Sequence, residues 1–189
     1  AEYEGPVAAD YPECLEIVRR KVKPERDRLA AGDATARDRA RRWWQFGRPT
    51  MALYATIAAM ERVLVVSLVN NHLGFERVPR NAVFAHKLAV IPSGSISMLA
   101  VLQSSFHYHW AWEYSSTMRV DINYSPSDSF GTFPFPDDAS ELETTCAPYF
   151  DHRAELMRKT GLGLTKLYNR FHSQGERSPE IERLRELHR

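Results

Sequence analysis

The sequence contains few cysteines and no long run of apolar residues. Its two cysteines, Cys14 and Cys146, are far apart and lack the close spacing of metal-binding cysteines. Isolated cysteines are typical of a reducing compartment, so we expect a cytoplasmic protein. No apolar run approaches the roughly 20 residues that cross a membrane, and the N-terminal segment is acidic where a signal peptide is basic. We therefore expect no membrane partner.

Motifs of common hydrolases and metalloenzymes are also missing. Ser104 and Ser105 lack the Gly-x-Ser-x-Gly elbow of a nucleophilic serine, so we expect them to pack within a helix. His107 and His109 would point to different sides of a helix, whereas a helical zinc site uses positions i and i+4. With no cysteine or paired acid nearby, we expect no metal site. We expect both histidines to pack at the helix surface or to contact phosphate.

The charge of the chain is unevenly distributed. The net charge at pH 7 is only +1, but residues 19–48, the basic segment, contain 11 Lys and Arg against 4 Asp and Glu. Residues 120–189 contain 12 acidic against 9 basic residues. This asymmetry indicates a polyanionic partner for the basic segment, although a solvated helix surface has the same pattern.

The apolar periodicity predicts an α+β fold, with a small, mostly antiparallel sheet, packed helices and a helical C-terminal part. The content of 43% hydrophobic and 26% charged residues is normal for an ordered globular chain. Strands are predicted at residues 62–69, 73–78, 83–91 and 119–124. Helices are predicted at residues 12–28 (kinked or ended at Pro24), 36–42, 49–60, 95–114, 139–159, 164–172 and 179–189.

We predict three parts in the chain: an N-terminal helical and basic lead-in (residues 1–39), a core that holds the sheet (40–136) and a helical C-terminal part (137–189). The chain starts without Met and ends inside a helical pattern, so we expect a piece of a longer protein. Three aromatic residues near position 45 are expected to be core residues that anchor the basic segment, rather than base-stacking residues: Trp43, Trp44 and Phe46. Asn70–His72 is expected to be a turn, which could also reach a nucleic-acid groove.

The predicted strand at residues 119–124 has two different faces. Because strand side chains alternate, Arg119, Asp121 and Asn123 share one face, and Val120, Ile122 and Tyr124 share the other. The second face is apolar and can pack. The first carries groups that recognise base edges: Arg binds guanine, Asn binds adenine, and Asp accepts from cytosine. A solvated face of a half-buried strand is the alternative.

Three motifs, in this order, carry a resemblance to a known family. They are Trp43–Pro49 (WWQFGRP), Leu102–Ser105 with Trp110 in the same helix, and Phe130–Pro136 (FGTFPFP), whose Phe-Pro steps require extended backbone. The chain, from about Tyr11 to its end, resembles the target recognition domain of single-chain type II restriction–modification enzymes (types IIG and IIL, Mme-like). Those enzymes are large adenine-specific DNA methyltransferases, often fused to a restriction endonuclease.

The resemblance implies sequence-specific binding of double-stranded DNA. In the family, alternate residues of the strand before a Tyr-Ser turn recognise bases, and Tyr124-Ser125 is that turn here. The matching positions are Arg119, Asp121 and Asn123. For the DNA backbone we expect contacts from four cations, which are Arg41, Arg42, Arg48 and Lys87.

The catalytic motifs of such enzymes are missing from the sequence. There is no Asn/Asp-Pro-Pro-aromatic motif, no Pro-Asp … Glu-x-Lys nuclease pattern, and no cofactor loop after a strand; Gly161-Leu162-Gly163 is predicted to be a helix break. We therefore expect no cofactor in this chain, and S-adenosylmethionine and the methyltransferase domain in the parent enzyme. The alternative is a non-catalytic protein-interaction or scaffolding module, whose C-terminal helices pack on a partner.

Overall fold

The computed structural model describes residues 6–47 and 50–189. These residues form ten α-helices and six β-strands, in two compact units that divide between Leu53 and Tyr54. Two small antiparallel sheets and a helical C-terminal part confirm the predicted α+β fold. None of the helices in the described ranges combines the length and the apolar character that a membrane crossing needs.

The first unit is helical. It contains α1 (Pro12–Lys21), α2 (Lys23–Arg28) and α3 (Ala34–Arg41), with short 3-10 turns at Ala8–Asp10 and Leu29–Ala31. Pro24 lies in the first turn of α2, where its missing N–H costs nothing, so the predicted break at this proline is confirmed. Asp33 caps α3 by accepting the Ala36 N–H at 2.8 Å. Helix α4 (Met51–Ile57) lies within the predicted helix 49–60.

The first sheet has the order β3-β1-β4, from β1 (Arg62–Ser67), β3 (Phe75–Pro79) and β4 (Leu88–Ile91), all antiparallel. The prediction of a strand over residues 83–91 is correct only for its second half. β1 ends at Ser67, which pairs with Leu88, so the residues before Leu88 have no β1 partner. Lys87 therefore lies in an exposed turn and not in a strand.

The second sheet has the order β2-β6-β5, from β2 (Val69–Asn70), β5 (Ser116–Met118) and β6 (Asp121–Asn123). Leu68 joins the two sheets, because its N–H donates to the Lys87 carbonyl at 2.8 Å and its carbonyl accepts the Tyr124 N–H at 2.7 Å. The predicted strand 119–124 is correct only for residues 121–123, which form β6. Residues 119 and 120 form a turn between β5 and β6.

The predicted long helix 95–114 is divided in two, α5 (Ile96–Gln103) and α6 (Ser105–Tyr114). Ser104 separates them with extended backbone, and its hydroxyl accepts the His107 N–H and donates to the Val101 carbonyl. Ser104 is thus the N-cap of α6, which a continuous helix cannot contain. Ser95 caps α5, as the sequence predicts, by accepting the Met98 N–H at 3.1 Å.

The second unit has two apolar clusters. The first joins both sheets to α5 and α6, and the second is formed by α8 (Ala147–Thr160), α9 (Leu164–His172) and α10 (Pro179–His188). Phe150 packs against both clusters, and the short helix α7 (Leu142–Thr145) precedes α8. Gly161 ends α8 with a left-handed φ of 65°, which confirms the predicted helix break.

Candidate nucleic-acid interface

The β5–β6 hairpin presents polar side chains at the surface. Its closing pair is Met118 and Asp121, and its two turn residues are Arg119 and Val120. β5 is an edge strand whose three residues are all exposed, while β6 lies between β5 and β2. Within the described residues, the side chains of Arg119 and Asp121 make no hydrogen bond or ion pair, so both are available to a ligand.

The structure separates the predicted base-recognition residues into two places. Asp121 and Asn123 share one face of β6, opposite the buried Ile122 and Tyr124, as the alternation predicts. Arg119 is not on that face, because it is the first turn residue and has a positive φ of 61°. Val120, expected on the packed face, is 78% exposed. The roles of Arg119, Asp121 and Asn123 in base recognition remain a prediction.

The base of the hairpin is held rigidly. Asn123 donates from its amide Nδ2 to the Ser116 hydroxyl at 3.0 Å across the two strands. Ser115, just before β5, accepts the Ser125 N–H at 3.2 Å, and its hydroxyl lies 2.6 Å from that of Ser129. The hairpin therefore has a fixed base and an exposed tip, which is what a base-recognising element needs.

A buried histidine anchors β6. His107 is fully buried, and its Nε2 lies 3.0 Å from the Tyr124 hydroxyl. Burial lowers the pKa of His107 to about 4, so the ring is neutral near pH 7. Burial also raises the pKa of Tyr124. The expectation that His107 lies at the helix surface or contacts phosphate is therefore wrong, although His109 is exposed.

The Phe-Pro segment packs beneath this anchor. The Phe133 ring meets His107 edge-on with centroids 4.7 Å apart, and it also contacts the rings of Trp110 and Phe135. The Trp110 indole N–H donates to the Thr132 hydroxyl at 3.2 Å. Two of the motifs quoted above, the helix with Trp110 and the segment with Phe133, thus meet beneath the hairpin.

The basic segment carries exposed guanidinium groups. Arg41 and Arg42 both form ion pairs with Asp38, and the Arg41 contact measures 3.2 Å. The hydrogen bond from Arg42, followed by the contact with Arg41, lowers the pKa of Asp38. The single negative charge of Asp38 neutralises only one of the two positive charges of Arg41 and Arg42, so the surface that they form stays positive. Arg48 lies outside the described residues.

The aromatic residues of the basic segment are not all core residues. Trp44 and Phe46 are exposed, which contradicts the expectation for both. Trp43 is half-buried, with the Lys23 ammonium 5.9 Å from its ring centroid and Trp44 edge-on at 5.8 Å. Sequence reasoning overestimated their burial because a short helical unit has too little volume to enclose three large rings.

The predicted turn at Asn70–His72 is correct only from Asn71, because Asn70 is the last residue of β2 and Asn71 and His72 form a bend after it. The Asn70 amide donates to the Ser67 carbonyl at 2.6 Å, and its oxygen accepts the Leu73 N–H. His72 contacts the C-terminal helices, with Nε2 2.7 Å from Asn169 Oδ1 and its ring stacked 4.6 Å from that of His172. The histidine side chain is therefore engaged within the protein.

An apolar groove lies in the second unit. Its volume is about 950 Å³, and α6, the Phe-Pro segment, α7 and the end of α10 line it. Phe106, Pro134, Leu142 and Leu187 are among the lining residues. Across residues 6–47 and 50–189, no group of three or more His, Cys, Asp or Glu side chains could hold a metal ion.

The second unit presents an exposed β-hairpin on an α+β body, and the first unit, taken by itself, has a cationic surface. Both features are typical of a recognition domain. The chain belongs to the MmeI target recognition domain family, which matches residues 8–137. This confirms the resemblance that the three motifs indicate. No curated protein matches the chain in sequence.

A solved structure has the same fold. It is that of the type IIL restriction–modification enzyme MmeI in complex with DNA, with a TM-score of 0.67 and 16% sequence identity. The similarity covers 98% of this chain and 24% of that chain, so this chain spans about a quarter of the length of that enzyme.

Proposed function

We propose that this chain binds double-stranded DNA sequence-specifically, as the target recognition domain of a restriction–modification enzyme. The observation that carries the proposal is the β5–β6 hairpin, whose Arg119 and Asp121 side chains have no partner within the described residues. A guanidinium and a carboxylate that are free at the surface can bind guanine and cytosine edges. Asn123, on the same face as Asp121, adds an amide group.

Affinity and sequence choice come from different residues in this proposal. Arg41, Arg42 and Arg48 bind phosphates, which are the same at every position of a duplex and therefore add affinity without selecting sequence. Lys87, in its exposed turn, adds a further phosphate contact. The hairpin residues face the base edges and provide sequence choice.

The proposed parent enzyme is an adenine-specific DNA methyltransferase of the cytoplasm, with or without a fused restriction endonuclease. Its methyltransferase domain would bind S-adenosylmethionine and carry out the chemistry. The absence of the methyltransferase motifs from this sequence supports that division of roles.

Duplex binding by the purified chain at several salt concentrations tests the proposal. We expect the association constant to fall steeply between about 50 and 200 mM salt, because bound phosphates release counterions. We also expect one sequence to be enriched from random duplexes. Association with duplexes that is undetectable at low salt, or independent of salt, would contradict the proposal.

The apolar groove favours a second candidate function, a protein-interaction module. We propose the methyltransferase part of the same enzyme as its partner, because this chain matches only about a quarter of the enzyme with the same fold. Replacing Phe106, which is largely exposed in the groove, with Asp would weaken such an association. Duplex affinity would be unchanged, and the association would depend little on salt because apolar burial drives it.

A further inference from the structure

We propose that Met118 and Val120, at the tip of the β5–β6 hairpin, contact thymine methyl groups in the major groove and thereby select thymine. The inference rests on the proposed function and deepens it. Met118 and Val120 would add apolar contacts, specific for thymine, to the polar contacts of the hairpin.

The hairpin tip breaks the local rules for turn residues. Two-residue hairpin turns favour Gly, Asn and Asp, which tolerate positive φ and lack an apolar side chain. Here an arginine has the positive φ, and a β-branched valine follows it. Met118 and Val120 are 54% and 78% exposed. Local departures of this kind concentrate at functional sites.

The chemistry of these residues points to the thymine methyl group. A two-stranded β-ribbon fits the major groove, and the C5-methyl of thymine is the apolar group that base pairs present there. Met118 and Val120 are on either side of Arg119 in the sequence, so apolar contacts would flank the guanidinium. The tip would therefore combine a polar contact to one base with methyl contacts to its neighbours.

The size of the apolar tip argues against a protein partner. A stable protein interface buries roughly 800 Å² on each side, and two side chains at a turn provide only a small part of that area. The neighbouring residues, Ser116, Thr117 and Asp121, are polar. Such a tip is suited to the mixed polar and methyl surface of the major groove.

Uracil substitution tests the proposal directly. The sequence enriched by the chain from random duplexes would be synthesised again with deoxyuridine in place of each thymine in turn, which removes only the methyl group. We expect at least one substitution to weaken binding by the wild-type chain about fourfold, the effect of one lost buried methyl contact. Met118→Ser or Val120→Ser should weaken binding to the thymine duplex and lose the sensitivity to that substitution.

Val83→Ser provides the matched control, because Val83 is 80% exposed but lies outside the hairpin. This variant should keep the wild-type affinity and the wild-type sensitivity to uracil. The inference is overturned if the wild-type chain binds uracil and thymine duplexes equally at every position, or if both tip variants keep the discrimination. The proposed function survives either result. If no sequence is enriched, the proposed function fails, and this inference fails with it.

Discussion

The buried Arg153 of α8 forms an ion pair with the partly exposed Glu76 of β3, with Nη2 3.1 Å from Oε2. The Arg153 Nη1 also donates to the Tyr168 hydroxyl at 3.0 Å, and that hydroxyl lies 2.8 Å from the Tyr149 hydroxyl. The guanidinium is 5.1 Å from the centroid of Phe150. This network connects the first sheet to α8 and α9, so it contributes to the packing of the C-terminal helices against the sheet.

Removing Glu76 should destabilise the protein strongly. In Glu76→Ala, the Arg153 charge stays buried without its carboxylate, and we expect a loss of about 3 kcal/mol in the free energy of unfolding. Urea denaturation measures this loss. The double variant Glu76→Ala with Arg153→Met should recover part of it, because the buried charge is then absent. If the double variant lost the sum of both single effects, the two residues would not be coupled.

Aspartate substitutions at neighbouring positions should differ sharply in effect. Val120→Asp places a charge on an exposed turn, so we expect stability to change by no more than about 0.5 kcal/mol. Ile122→Asp places an unpaired charge in a fully buried site, and we expect the chain not to fold. Thermal denaturation followed by circular dichroism compares the two. Equal destabilisation by both substitutions would contradict the placement of Val120 in an exposed turn and of Ile122 in the core.

Arg119→Gly should stabilise the chain but impair sequence recognition. Glycine adopts positive φ without the steric cost that a Cβ brings, so we expect a gain of about 0.5–1 kcal/mol. Loss of the guanidinium should relax the base preference at one target position. Arg119→Ala is the control, since it loses the same contact while keeping the backbone strain. Equal stability of the two variants would show that no strain is relieved.

Acid should destabilise the protein through His107. Its pKa is about 4 in the folded protein and about 6.5 when unfolded, so the unfolded state binds more protons between these values. Stability is therefore complete above about pH 6.5 and falls as the pH decreases towards 4, by roughly 3 kcal/mol in total. Urea denaturation at several pH values in this range should show that the free energy of unfolding depends less steeply on pH in His107→Gln than in the wild-type chain.

The pH dependence of stability that remains in His107→Gln should come partly from two other histidines. Burial lowers the pKa of His172 and of His188, and nearby cations add to the effect at His172. An unchanged slope in His107→Gln would mean that this histidine does not control acid stability.

Replacing Arg41 and Arg42 with alanine should weaken binding to all duplexes alike. Each lost phosphate contact should reduce the dependence of log K on log salt by about one, so the double variant should lose about two. Fluorescence anisotropy with two unrelated duplexes measures both effects. Lys159→Ala is the matched control, because Lys159 is also exposed and paired with an acid, Glu155. Unchanged affinity in the double variant would show that Arg41 and Arg42 are exposed to solvent and do not contact DNA phosphates.

The sequence by itself determined the elements that depend on local chemistry. The predicted bounds of α9 are those found, and Pro24, Ser95 and Gly161 lie at helix ends as their residue types predict. The motifs also determined the family, because they occur in its order. The outward position of Asp121 and Asn123 followed from alternation, which needs no knowledge of neighbouring strands.

Only the tertiary structure decided the shape of the hairpin and the polar residues of the core. Residues 116–118 have no apolar period, and they form a strand because β6 pairs with them. No local signal marks His107 or Arg153 as buried. Each is buried in contact with a distant partner, a hydrogen bond to Tyr124 for the histidine and an ion pair with Glu76 for the arginine. Pairing and burial depend on residues far apart in the chain, and a local pattern contains no information about those contacts.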